Sequence, residues 1–368
     1  MNRLLGWLLS LCLITVLTGG AWLAYTLFKT SEVTRSHVDI TGERGTSGRE
    51  LVGLLTEAEL VTSSEVAYWA LRLSGTFETL KAGTYSVPGD ARIVDLPELL
   101  GEEARVKHIV LTLIPGESVW EAAQRMEAAG LTDQMTILER AKDRGWIRQT
   151  LNVPVGPKRA PRADGVPHTY LEGFLYPETL HFTPGVSADD VLKRVSSGFR
   201  RVWDDLVTRR RADLLAVRER YKLKDHQLVA LASLVEEESS RRDEAPVIAG
   251  VFYNRLDKNM PLQTDPTLVY HPASVGRAPT PRDRRNPENP YNTYQNKGIP
   301  PGPICSPGRF ALSAVLTPAR HDYLYFVARR DGGGGHVFAR TLEEHRENIR
   351  KYLQAPGDPS LTRPEPNP

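Results

Sequence analysis

Between Arg3 and Lys29 the chain carries no charged side chain, and the apolar run from Leu4 to Phe28 constrains where everything after it must lie. A helix needs about 20 residues to cross a bilayer core. Trp7, Trp22 and Tyr25 fall near the two ends of the run, the depths that aromatic rings favour. A cleaved signal peptide is the competing reading, because Arg3 supplies a short positive region. The length of the run and the lack of a small-x-small cleavage site favour an uncleaved anchor. Charge barely orients it, with Arg3 and the amino terminus on one side and Lys29 and Arg35 on the other. No second apolar stretch of that length follows, so the rest of the 368 residues reads as one soluble body on one side of a membrane.

Lys and Arg number 47 against 45 Asp and Glu, a formal charge of +2 with no long basic stripe. Nucleic acid is therefore not an expected partner. The two cysteines, Cys12 and Cys305, are too few and too far apart for a disulfide framework or a cysteine-rich metal site. His336 and His345 lack zinc-protease spacing. The glycines from Gly332 to Gly335 lack the Lys-Ser/Thr ending of a phosphate loop, and a strand connection between Tyr325 and Phe338 is the plainer reading.

Beyond the anchor, Val38 to Ile40 reads as a strand, Arg49 to Leu60 and Ala67 to Leu73 as helices, and Lys81 to Val87 as a second strand. A related pattern restarts with a strand at His108 to Ile114 and a helix from Trp120 to Ala128 that stops at Gly130. Pro154, Pro157, Pro161 and Pro167 mark a loop. The expected class is α+β, in six segments: an anchor at 1–29, a small α/β module at 36–106, and a second module or the start of the catalytic region at 107–153. A Pro-rich loop at 154–168, a larger α+β domain at 169–355 and a disordered tail at 356–368 complete it.

From Asp225 to Ser240 there is no Gly or Pro, and Leu228, Leu231, Ala232 and Val235 repeat at the spacing of one helical face. Continued at about 100° per residue, Glu238 falls roughly 60° from the middle of that stripe, Glu236 roughly 100° away and Glu237 nearly opposite. Glu238 is thus the acid expected to be desolvated. A desolvated glutamate keeps its proton near neutral pH and can act as a general acid. On the local pattern alone, a solvated helix end followed by Arg241 and Arg242 is the plainer reading.

Further motifs shift that balance. Leu171-Glu172-Gly173-Phe174-Leu175-Tyr176-Pro177-Glu178-Thr179 is followed by Leu231-Ala232-Ser233-Leu234-Val235-Glu236-Glu237-Glu238-Ser239. Then come Val251-Phe252-Tyr253-Asn254-Arg255-Leu256, Leu262-Gln263-Thr264-Asp265-Pro266-Thr267, Tyr291-Asn292-Thr293-Tyr294 and Gly298 to Ile304. In this order they resemble the YceG-like endolytic murein transglycosylases over nearly the whole chain. Ile114-Pro115-Gly116-Glu117 departs from the family's usual Pro-Glu-Gly, and the Pro-rich insertion is also unlike it.

The resemblance implies a single-pass inner-membrane protein with an extracytoplasmic body, a LysM-like module at 36–106 and a catalytic domain with a lysozyme-like active-site helix. Its partners would be peptidoglycan glycan strands, the cytoplasmic membrane and peptidoglycan synthases. The implied reaction breaks MurNAc-GlcNAc bonds in nascent strands with closure to a 1,6-anhydro end, terminating elongation, and needs no cofactor or metal. Glu238 is the expected catalytic residue, with Glu236 its rival. Glu172, Tyr176, Gln263, Thr264, Asp265, Asn292, Thr293 and Tyr294 are the expected substrate-binding residues. Turn and cap roles compete for Asp265 and Asn292, core packing for Tyr176 and Tyr294, and a structural role is expected for Asn254 and Arg255. A non-catalytic, membrane-tethered peptidoglycan-binding scaffold and a water-using muramidase are the alternatives.

Overall fold

The computed structural model describes residues 2–31, 37–42, 45–101, 109–158, 168–183, 185–239, 241–274, 276–329 and 335–353. Two units are distinct, one formed by residues 1–109 with 181–186 and the other by 110–180 with 187–368. The expected tail at 356–368 and most of the Pro-rich loop, from 159 to 167, lie outside the described residues.

The first unit begins with helix α1, Asn2–Phe28, which has no charged residue in its last turn. Its side chains are described at Trp7 and from Leu13 onward. Leu13, Ile14, Val16 and Leu17 are exposed, whereas Thr26 is buried and Leu27 packs on the core of the unit. Among the described residues no helix is long and apolar enough to cross a membrane.

Strand β1, His37–Gly42, leads to helices α2, Gly48–Glu57, and α3, Ser64–Leu73. A single turn, α4, Thr76–Thr79, precedes strand β2, Gly83–Pro88, and helix α5, Leu96–Gly101, follows it. The order strand, helix, helix, strand is the one the alternation and helical spacing predict. β1 and β2 pair antiparallel with Ile40 opposite Tyr85, and Leu51, Leu55, Leu71, Val87 and Leu96 fill the space between sheet and helices. α2 starts on a reciprocal cap in which Ser47 Oγ accepts the Glu50 amide and Glu50 accepts the Ser47 amide. It stops three residues before the expected Leu60 because Glu59 turns left-handed at φ +59. The Leu60 amide then reaches back to the Leu55 carbonyl at 3.0 Å, closing the helix end and burying Leu60.

The second unit opens with strand β3, Ile109–Thr112, and helices α6, Val119–Ala128, and α7, Gln134–Lys142. His108, expected to start β3, lies outside the described residues. Gly130 ends α6 as the sequence predicts, at φ +74. A short helix, α8, Arg144–Trp146, runs into a π-helical turn at Ile147–Leu151 that Asn152 terminates at φ +50. Strand β4, Thr179–Phe182, pairs with β3.

Long helix α9, Ala188–Arg209, and helices α10, Arg211–Tyr221, α11, Asp225–Glu238, and α12, Ala245–Asp257, follow. After α13, Pro281–Arg284, and α14, Arg309–Leu316, the hairpin of β5, Tyr325–Ala328, and β6, His336–Ala339, leads to α15, Leu342–Tyr352. β5 and β6 form the hairpin expected between Tyr325 and Phe338, with Phe326 opposite Phe338. The result is a mixed α+β protein with two-stranded sheets among many helices.

One helical expectation needs correction. α11 does not bury a single stripe: every residue from Leu228 to Val235 is buried. α12 and α14 pack against it, and the Ile304 amide donates to Ser233 Oγ at 3.0 Å. Ala230, Ala232 and Ser233 are small enough to admit such neighbours on faces that a periodic stripe would leave to solvent. α11 is therefore the central helix of its unit, and its glutamates emerge only where the helix ends.

Candidate active site

α11 ends at Glu238, and Ser239 is already extended at φ −109 and ψ 96. The three glutamates in its last turn fan out toward different neighbours. Glu236 Oε2 accepts the Gly308 amide at 2.8 Å, at the start of α14. Burial raises its carboxyl above the usual range, opposed by that hydrogen bond and by Arg242.

Glu237 lies toward Gly116 and Cys305. Burial pushes its carboxyl up to about 7, opposed by the Cys305 thiol and reinforced by Glu121 and Glu236. Cys305 has one thiol proton and two acceptors near it, since the Ser233 carbonyl also lies 3.4 Å from its sulfur. By accessible area Glu237 is exposed.

Glu238 is half-buried by area, yet burial pushes its carboxyl up to about 8, with the negative charges of Asp265 and Glu237 adding to the shift and Arg255 opposing it. Part of its surface stays accessible where α11 ends. At pH 7 this acid holds its proton while remaining open to a ligand, as a general acid must.

Asp265, Tyr294, Gln263 and Arg255 gather beside Glu238. The Tyr294 hydroxyl donates to Asp265 Oδ1 at 2.7 Å, and Arg284 pairs with the same carboxylate at 3.0 Å. The carboxylate beside Glu238 is thus held in place by its own partners. Arg255, on α12, is 7% exposed. It donates through Nη1 to Leu262 O at 2.9 Å, Pro261 O at 3.1 Å and Gln263 Oε1 at 3.1 Å, and through Nε to Leu324 O at 2.6 Å. Gln263 reaches it from a left-handed backbone at φ +53, a conformation uncommon for a residue with a β-carbon and concentrated at functional sites.

Four of the eight expected binding residues lie in the interior. Glu172 is 1% exposed; both its oxygens accept the Val119 amide at 3.1 Å, capping α6, and Oε2 accepts the Tyr270 hydroxyl at 2.8 Å. Gly173 makes this possible at φ +85, because a β-carbon there would come within 2.6 Å of Pro303. Asn292 spends Nδ2 on the carbonyls of Asp283, Arg284 and Asn286, and Oδ1 on the amides of Tyr294 and Gln295. Thr264 and Thr293 are also buried and share a hydroxyl network with Thr267. All four bond to protein, and Thr264, Asn292 and Thr293 hold the loops that carry Gln263, Asp265 and Tyr294.

Tyr176 stands apart from that group. Half-buried, it is raised by burial, with Arg309, Glu178, Arg201 and Glu236 acting on its hydroxyl, which places it on the Glu236 side. Arg255 is the residue that sequence reasoning missed as a site element. Its signal was an arginine inside the otherwise apolar Val251–Leu256 run, where burial of a cation demands partners. The turn at Pro115-Gly116-Glu117 also borders the site: Gly116 donates to Ser306 O at 3.1 Å, and Ser306 donates back to Glu117 O at 2.8 Å.

Burial of three carboxyls ties stability to pH. Glu172 and Glu238 rise from 4.5 to about 8 and Glu237 to about 7. Each binds its proton more tightly folded than unfolded, so its contribution is full below about pH 4.5 and lost as pH rises through 7 to 8. The melting temperature is expected to fall between pH 5 and pH 8. Glu172→Gln, which keeps a donor and an acceptor at the same place, should flatten that slope in a thermal melt series; an unchanged slope would contradict the assignment.

Known proteins resemble this chain over most of its length. The YceG-like family matches residues 40–351. A Bacillus subtilis protein named endolytic murein transglycosylase is 28% identical over 323 residues, covering 87% of this chain and 86% of its own length. A Streptococcus pneumoniae protein of the same name is 26% identical over 366 residues, and the match spans 94% of this chain but 64% of that longer protein. The 2.6 Å crystal structure of a YceG-like protein from Listeria monocytogenes aligns with a TM-score of 0.56 at 26% identity, covering 85% of this chain and 98% of that one. With the match running through both units and the glutamate-bearing helix, the chain belongs to the YceG-like family.

Proposed function

We propose that this protein is a peptidoglycan lytic transglycosylase that cuts glycan strands internally, with Glu238 as its catalytic acid. The observation that carries the reading is a glutamate at a helix end that keeps accessible surface while burial pushes its carboxyl up to about 8. The names of the family members support the substrate class. Glu238 protonates the glycosidic oxygen between MurNAc and GlcNAc as the C1–O bond breaks. The resulting carboxylate then takes the proton from the muramyl C6 hydroxyl as that oxygen bonds to C1, leaving a 1,6-anhydro end and no water consumed.

One carboxyl serves both halves, unlike glycosidases that use two. Asp265 fits a supporting part, because Tyr294 and Arg284 already occupy its oxygens. Its fixed negative charge raises the proton affinity of Glu238 and lies beside the oxocarbenium-like centre that develops in the transition state. Glycan strands incubated with the full chain should yield anhydro-ended fragments from internal cuts. Reducing ends would instead make it a muramidase, and no products a scaffold.

The same reading places the protein on a membrane through α1, with the body outside the cytoplasm. It is supported by the uncharged sequence from Leu4 to Phe28 and by the exposure of Leu13, Ile14, Val16, Leu17 and Leu23, side chains that water would not leave uncovered in a row. Trp22, Tyr25 and Phe28 suit the interfacial end. The β1-α2-α3-β2 unit takes the LysM-like part, gripping the glycan. Membrane fractions should retain the protein through an alkaline carbonate wash, and deletion of residues 2–28 should release it. Release of the intact chain would contradict the anchor.

A further inference from the structure

At the end of α11 opposite the glutamates, roughly 20 Å away along the helix axis, lies a cavity of about 600 Å³. Arg144 of α8, Arg148 of the π-helical turn and Val153 and Val155 beyond it form one wall, and Lys224 and His226 at the start of α11 form the other. Arg144 Nε donates to the Gly156 carbonyl at 2.8 Å, which fixes its guanidinium at the wall. Arg144, Arg148 and Lys224 enter no ion pair among the described residues. The nearby carboxylate of Asp225 is already taken by Arg218. Three cations that form no ion pair among the described residues therefore line one hollow, a concentration of positive charge that suits an anion.

We infer that this cavity is a second binding site, for a short peptide bearing free carboxylates. Guanidinium and ammonium groups are the partners of carboxylates. Val153 and Val155 offer apolar surface to small side chains such as alanine, and the volume is in the range that holds a ligand of a few residues. The inference rests on the reading that the substrate is peptidoglycan. Its stem peptides are short, rich in alanine and end in carboxylates. The cavity then grips a stem peptide at a place separate from the bond being cut, and the strand is recognised by its peptides as well as by its sugars.

Isothermal titration of the full chain in detergent tests this, with the tetrapeptide L-Ala-γ-D-Glu-diaminopimelate-D-Ala, its fully amidated counterpart and inorganic phosphate as probes. The free-acid peptide should bind, and its amidated form should bind at least about tenfold more weakly, as charge-assisted contacts require. Arg148→Glu and Lys224→Glu, both at exposed positions, should each weaken the free-acid peptide by about tenfold, with circular dichroism unchanged. Absence of peptide binding, equal binding of the amidated form, or phosphate binding as tight as the peptide would each overturn the inference. Glycan cleavage without peptide binding would remove this site and leave the proposed activity standing. Peptide binding without cleavage would do the reverse.

Discussion

Replacing Glu238 by glutamine is expected to lower glycan cleavage by about 10²- to 10⁴-fold, the usual contribution of a positioned general acid. The carboxamide has nearly the shape of the carboxyl but no proton to give the leaving oxygen. The fold should survive, because the side chain is half-buried and the native carboxyl already carries a burial penalty. At pH 8 the variant should melt no lower than the parent, since it has no charge to desolvate there. Glu236→Gln weakens the acceptor for the Gly308 amide and should cost more in stability than in cleavage. Should Glu236→Gln abolish cleavage while Glu238→Gln keeps it, the two assignments exchange. The rate in the parent should fall as pH rises through about 8, because the acid is active only while protonated.

Arg255→Met should destabilise the protein by about 3–5 kcal/mol, the range for removing one partner from a buried charged network. The methionine keeps much of the apolar stem but leaves the carbonyls of Pro261, Leu262 and Leu324 and the Gln263 side chain without their donor. Each buried acceptor left unpaired is costly. A melting temperature lower by roughly 10 °C is the corresponding shift for a unit of this size. Loss of the cation also removes what opposes the upward shift of Glu238, so the limb of the pH-rate profile should move to higher pH in the molecules that fold. A variant with unchanged melting and an unchanged profile would show that Arg255 neither supports the loops nor senses the acid.

Much of the small unit was legible in the sequence, because its elements rest on local signals. Alternation in 81–87 and helical spacing in 49–60 and 67–73 act over a few residues each. The end of α2 escaped, since nothing in Glu59 itself announces a left-handed backbone, and so did the short helices α4 and α5. In the larger unit the position of α11 was readable and its environment was not. Burial on all sides comes from α12 and α14, which are distant in sequence, and helical spacing says nothing of what covers the other faces.

The candidate site divides along the same line. Helical angle selects Glu238 as the acid to be desolvated, although the stripe behind that choice is part of a run buried on every side from Leu228 to Val235. Glu172, Thr264, Asn292 and Thr293 looked like ligand contacts because polar residues in ordered motifs suggest a binding surface. Their hydrogen bonds run to backbone atoms and hydroxyls that only the folded chain brings near. Arg255 was the converse case, a residue read as structural that is both a brace for the 261–263 loop and a cation that acts on the acid. Pairings of this kind arise from chain crossings and cannot be inferred from spacing.

The central claim is that Glu238 drives an internal closure, not a hydrolysis. Digestion of purified glycan strands in water enriched in oxygen-18, followed by mass spectrometry of the fragments, tests it most directly. The account predicts fragments lighter by one water than hydrolysis products, carrying no heavy oxygen, and their disappearance in Glu238→Gln. Fragments that carry the heavy oxygen at a reducing end, or anhydro fragments formed equally by Glu238→Gln, would contradict it.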